Sequence, residues 1–119
     1  MHAKKEYREA IDVYTLALSA KEVKGGLAED TDLDSVILSN RSACHLTLGR
    51  LDEALRDAKR AAEVRPGWPK AHWRVGRAFE AMHDHKRAAD AYRRGMELIG
   101  SEKSKAEFSA AVERCMSKA

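Results

Sequence analysis

The stretch SNRSACHLTLGRLDEALRDAKRAAEVRPGWPKAHWRVGRAFEA, from Ser39 to Ala81, decides how this chain folds, because its pattern returns at a spacing of 34 residues. At that offset Ser42 falls on Gly76, Ala54 on Ala88, Ala58 on Tyr92, Ala61 on Gly95 and Val64 on Leu98. Small residues thus recur where helices must touch, and a period of this length marks stacked helix–turn–helix units. Within the stretch, Gly49-Arg50 divides a helix through Ser39 to Leu48 from another through Leu51 to Val64, which Pro66-Gly67 ends. Pro69, tolerated in a first helical turn, opens the next unit, whose own break falls at His83-Asp84.

Upstream, the same pattern appears at an offset of 44, with Tyr7 on Leu51, Ala10 on Ala54, Tyr14 on Ala58 and Ala17 on Ala61. The ten extra residues are placed at Gly25 to Asp34 (GGLAEDTDLD), where a glycine pair and four acidic residues read as an exposed, mobile loop. Downstream, Phe108, Ala111, Val112 and Cys115 recur at one-turn spacings, with charges mostly elsewhere around the helix. This predicts an amphipathic helix that caps the apolar face of the last repeat. Ser104 and Glu107 have capping-box spacing at its start, and Ser101 competes as N-cap.

The expected architecture is all-α: a superhelix of antiparallel helix hairpins in one domain. It divides into an incomplete first repeat over 1–24, an inserted loop over 25–34, a second repeat over 35–68, a third over 69–102 and a capping helix over 103–119.

Composition agrees. Of 119 residues, 44% are hydrophobic and 34% charged, helix formers dominate, and two prolines leave long helices uninterrupted. The net charge of +3 comes from 22 basic and 19 acidic residues mixed along the chain, which does not call for nucleic acid. No apolar run approaches the roughly 18 residues that span a bilayer, and Met1 to Glu6 are too polar for a secretory signal, so a soluble, cytoplasmic protein is expected. Cys44 and Cys115 lie far apart among apolar neighbours, which suits buried reduced thiols.

In stacked hairpins the first helix of each unit lines the concave surface. Lys70, Arg74 and Arg77 follow at spacings of four and three, placing three cations on one face of such a helix. The next members of that stripe, Ala78 and Ala81, offer no carboxylate. A solvated charged face is the plain reading. Against it, Asn40 precedes Arg74 by 34 residues, so adjacent groove helices present an amide beside the cations. Such donors suit a carboxylate, whose bonds to Lys and Arg are charge-assisted.

The period, the small-residue pattern and Pro66 closing a unit resemble the tetratricopeptide repeats over nearly the whole chain. The stretch quoted above is specifically similar to the co-chaperone branch of that family. The resemblance implies a protein-binding module, without catalysis, that grips the acidic Glu-Glu-Val-Asp tails of heat-shock chaperones of the seventy- and ninety-kilodalton classes. It maps a carboxylate clamp onto Asn40, Lys70 and Arg74, with Arg77 a further candidate. Two more clamp members of the family, a Lys and an Asn on the first helix of the first repeat, would precede Met1, which the offsets put late in that helix. The stripe of Tyr7, Ala10, Tyr14 and Ala17 would then lack most of its hairpin partner and offers a surface for self-association. A scaffold for another partner, and a targeting domain of a larger enzyme such as a prolyl isomerase or phosphatase, are the alternatives.

Other residue clusters carry plainer readings. His83-Asp84-His85 lies at a bend with no further ligand nearby, so no metal site is assigned. His45 and His72 have no catalytic partner at a telling spacing, and Gly25-Gly26 lacks the Lys-Ser or Lys-Thr of a phosphate loop. No cofactor is implied. Trp68 and Trp73 read as packing residues, and Arg56, Lys59, Arg60, Arg93 and Arg94 as solvated charges on second helices.

Overall fold

The computed structural model describes residues 2–23 and 31–119, which form six helices and, among those residues, no strand. They are α1 (His2–Val23), α2 (Thr31–Thr47), α3 (Leu51–Val64), α4 (Pro69–Ala81), α5 (His85–Glu97) and α6 (Glu102–Lys118). Helices α2 with α3 and α4 with α5 make the two hairpins, α1 packs on α2, and α6 packs on α5. Pro69 stands in the first turn of α4, and Asp84 caps α5 by accepting from the backbone N–H of Arg87 at 3.3 Å. Of the two serines competing to start α6, Ser101 is the N-cap residue, through its backbone carbonyl rather than its side chain.

Two boundaries differ from the sequence reading. The stretch 25–34 is not all loop, since α2 begins at Thr31; residues 25–30 lie outside the described residues. Asp32 and Asp34 occupy its first turn, where the unpaired amides favour carboxylates, and Asp32 also pairs with Arg65 at 3.4 Å. Asp32 and Asp34, two of the four acids that read as loop, are helix-start residues. The second difference is that residues 2–6 do not belong to a preceding helix. They extend α1, because nothing between His2 and Val23 is glycine or proline to break it.

The 34-residue period survives in three dimensions. Ala54, Ala58 and Ala61 are fully buried along one stripe of α3. The positions of Ser42 and Ala58 in the second unit are taken by Gly76 and Tyr92 in the third, so the helix pair loses a side chain on one side as it gains a ring on the other. A Cβ on Gly76 would lie 2.5 Å from the Tyr92 ring, which fixes glycine there. Even the bends repeat: Gly49 at φ 78° and His83 at φ 63° are both left-handed and stand 34 residues apart.

The core falls into two clusters. One gathers Ala88, Ala89, Tyr92, Phe108, Ala111 and Cys115, with Trp73 packed at ring-centroid distances of 5.0 Å from both Tyr92 and Phe108. The other joins Leu38, Ala61 and Ala71 to Leu18 and Trp68. Both tryptophans are packing residues. Polar ties reinforce each end. Arg41 of α2 bonds both oxygens of Asp57 on α3 at 2.7 Å and donates to Thr15 of α1 at 3.1 Å. Glu80 of α4 accepts from Arg114 of α6 at 2.6 and 2.8 Å and from the Tyr92 hydroxyl of α5 at 2.8 Å.

Candidate functional site: a cationic groove between the first helices

Helices α2 and α4 touch directly, and this contact sets Asn40 and Arg74 on neighbouring helices. Arg74 is half-buried, and its Nε–H donates to the Oγ of Ser39 at 3.2 Å. Ser39 itself is fully buried, so the inner end of the guanidinium is anchored. The two outer nitrogens have no protein partner among the described residues, yet neither is shut away from solvent. Burial, and then the neighbouring Arg77 cation, push the Arg74 guanidinium below its ordinary value. It is a partly dehydrated cation without a counter-ion among the described residues.

Lys70, one turn earlier on α4, is exposed. No carboxylate among the described residues comes within ion-pair distance of Lys70 or Arg74. The Asn40 side chain is half-buried and makes no hydrogen bond to another described residue. Lys70 and Arg74 line a pocket of about 440 Å³ with Trp73, Ile99, Glu107 and Phe108, between α4 and α6.

Arg77 is placed differently. Its Nη1 lies 3.9 Å from Glu80 Oε1, so a carboxylate does stand one turn along from the cations, contrary to the expectation drawn from Ala78 and Ala81. Ala78 and Ala81 lie four residues beyond Arg74 and Arg77, whereas Glu80 lies three beyond Arg77. Its oxygens are already engaged by Arg114 and Tyr92, and these contacts, Arg114 foremost, hold its carboxyl down at about 2. Sequence reasoning also missed Ser39, whose role depends on the contact between α2 and α4.

His72 Nε2 is 2.7 Å from the Pro66 carbonyl, and His45 lies 3.7 Å from Asp57 with burial pushing it below its ordinary value. The rings of His83 and His85 meet edge-on with centroids 6.0 Å apart, and among the described residues no three potential ligands gather as a metal site. Cys44 and Cys115 are free, buried thiols pushed upward chiefly by burial. Another hollow, of about 480 Å³, opens between α3, α4 and α5, where Lys59, Arg87 and Arg94 share the lining with Glu63 and Asp90. No described helix is long and apolar enough to cross a membrane.

Helix hairpins stacked at a 34-residue period, with three cations on the first helix of the second hairpin, define a helical-repeat domain. No family model matches the chain. It is 35% identical to the solved Sgt2 TPR domain from Aspergillus fumigatus, with a TM-score of 0.76 over 98% of this chain and 70% of that one. The chain therefore belongs to the tetratricopeptide repeat family, in the branch of Sti1- and Sgt2-type co-chaperone domains. The Aspergillus fumigatus heat-shock protein cognate co-chaperone sgt12 is 38% identical over 104 residues, 87% of this chain but 28% of that protein. The chain thus spans little more than a quarter of that relative. The fold also matches the TPR2B domain of yeast Sti1, solved in complex with an Hsp70 peptide, at a TM-score of 0.69 and 18% identity with both chains fully covered.

Proposed function

We propose that this domain binds the acidic C-terminal peptide of cytosolic heat-shock chaperones, of the seventy- and ninety-kilodalton classes, in the groove between α2, α4 and α6. The observation that carries the reading is the state of Arg74: anchored by Ser39, partly dehydrated, with two outer nitrogens that have no partner among the described residues, one turn from Lys70 and on a helix in contact with that of Asn40. A desolvated cation without a partner is costly, and a ligand carboxylate offsets that cost with charge-assisted hydrogen bonds. Asn40, Lys70 and Arg74 then hold the terminal carboxylates, while Arg77, shared with Glu80, adds field at the rim. The reading is of an adaptor in the cytoplasm with no catalytic role. The peptide complex of the similarly folded Sti1 domain supports it.

Titration with a fluorescent peptide ending in Glu-Glu-Val-Asp, and with its C-terminally amidated twin, tests the reading. Binding should be lost in the Lys70→Ala, Arg74→Ala double variant and strongly weakened by amidation. Equal affinities for the wild type and the double variant would sink the assignment.

A second surface favours self-association. The stripe of Tyr7, Ala10, Tyr14 and Ala17 is half-buried, but Val13 and Leu16 on α1 are 63% and 69% exposed. Sedimentation at high concentration should show dimer that the Val13→Ser, Leu16→Ser variant lacks; a monomer throughout refutes it.

A further inference from the structure

The pocket between α4 and α6 holds a charge that carboxylate binding leaves unused. Trp73, Ile99 and Phe108 give it an apolar wall, Lys70 and Arg74 line it from α4, and Glu107 lines it from α6. Glu107 is exposed and forms no ion pair with any described residue. A free carboxylate therefore stands in the same hollow as two free cations.

A peptide ending in aspartate brings two carboxylates to its terminus. Once these have met Lys70 and Arg74, the charge left at the pocket is that of Glu107, beside aromatic and aliphatic surface. The volume, about 440 Å³, is ample for one side chain. We infer that this pocket receives a single side chain of the bound peptide upstream of its terminus, and that Glu107 selects there for an apolar or basic residue and against an acidic one. The inference rests on the groove reading above and adds a rule of peptide selectivity to it. The preference is by repulsion as much as attraction, since an acidic side chain would lose its water to lie beside Glu107.

The test uses peptides with one fixed acidic C terminus, in which each of the four residues before the last is replaced in turn by Ile, Lys or Glu. Affinities are read by fluorescence anisotropy for the wild type and Glu107→Gln. At one position Ile and Lys should bind about three- to ten-fold tighter than Glu, a size set by one partly screened charge pair. Glu107→Gln should shrink that ratio to about two-fold or less, and Glu107→Lys should invert it. Because Glu107 is exposed, matching thermal melts will show that both variants keep the fold. An unchanged ratio in Glu107→Gln, with the terminal carboxylate still required, overturns the pocket assignment and leaves the groove reading standing. Indifference to C-terminal amidation overturns both.

Discussion

Arg74 of α4 and Ser39 of α2 are joined by a hydrogen bond of 3.2 Å, and this link between adjacent repeats sits one residue from Asn40. It aims a cation that has no carboxylate of its own among the described residues. Ser39→Ala removes the acceptor and leaves Arg74 free to turn. Peptide affinity should fall by about 1 kcal/mol, roughly five-fold, as for one net hydrogen bond. Calorimetric titration of that variant measures it; an unchanged affinity would show that the serine does not position the arginine.

Binding through unpaired cations is screened by salt. Lys70 is exposed and Arg74 half-buried, so the first is screened more than the second. Raising the salt from about 0.05 to about 0.5 M should weaken peptide binding by about ten-fold in the wild type. In Lys70→Ala the slope should be shallower, and parallel slopes for the two proteins would exclude Lys70 from the contact.

The fold was legible wherever the signal is local or periodic. Gly49, Pro66 and Pro69 act on their own backbone, and α3 runs from Leu51 to Val64 as read from the sequence. The misreading at 31–34 arose because Asp serves loops and helix starts alike, and the Asp32 pair with Arg65 depends on a contact distant in sequence. The candidate site was legible as far as a 34-residue count reaches, which brings Asn40 toward Arg74. Ser39, Glu80 and Glu107 were not legible as parts of it. Ser39 and Glu107 acquire their roles from a helix packed against their own, which no spacing within one helix encodes, whereas Glu80 lies three residues beyond Arg77 on the same helix and is found only when that spacing is counted.

His83 repeats the left-handed bend of Gly49 but carries a side chain there, at φ 63°. A Cβ in this conformation costs about 1 kcal/mol, which glycine avoids. His83→Gly should therefore raise stability by about 0.5–1 kcal/mol, reduced somewhat by the greater freedom of the unfolded chain. Gly49→Ala should lower it by a similar amount. Urea unfolding of both variants checks the pair, and destabilisation by His83→Gly would show that the histidine ring makes an interaction that outweighs the strain.

Gly76→Ala improves helix propensity by about 1 kcal/mol in an unconstrained helix. Here the added Cβ meets three atoms of the Tyr92 ring at 2.5, 2.7 and 2.8 Å. Tyr92 is fully buried and held by Glu80, so it has no room to retreat. A net loss of about 1–3 kcal/mol is expected from overpacking. Gly67, with nothing within 4 Å of an added Cβ, is the control. Equal stability of Gly76→Ala and the wild type in urea unfolding would mean that the repeats separate more easily than this packing allows.

Glu80 gives the fold a defined acid sensitivity. Its carboxyl is held at about 2, against an ordinary value near 4.5, with the Arg114 hydrogen bonds the largest cause and Tyr92 assisting. The group is depressed in the folded state, so as pH falls the unfolded chain takes up its proton first. The stability that Glu80 contributes is complete above about 4.5 and is lost progressively as pH falls towards 2. Because the Arg114 side chain is 40% exposed, solvent screening reduces the gain to about 1–2 kcal/mol. Arg114→Ala should then lower the melting temperature by about 4–8 °C at neutral pH. The gap between the variant and the wild type should narrow between pH 4 and pH 2, as Glu80 is protonated in both. Thermal melts across that range decide it: a gap that stays constant with pH would place the effect of Arg114 in packing rather than in its charge.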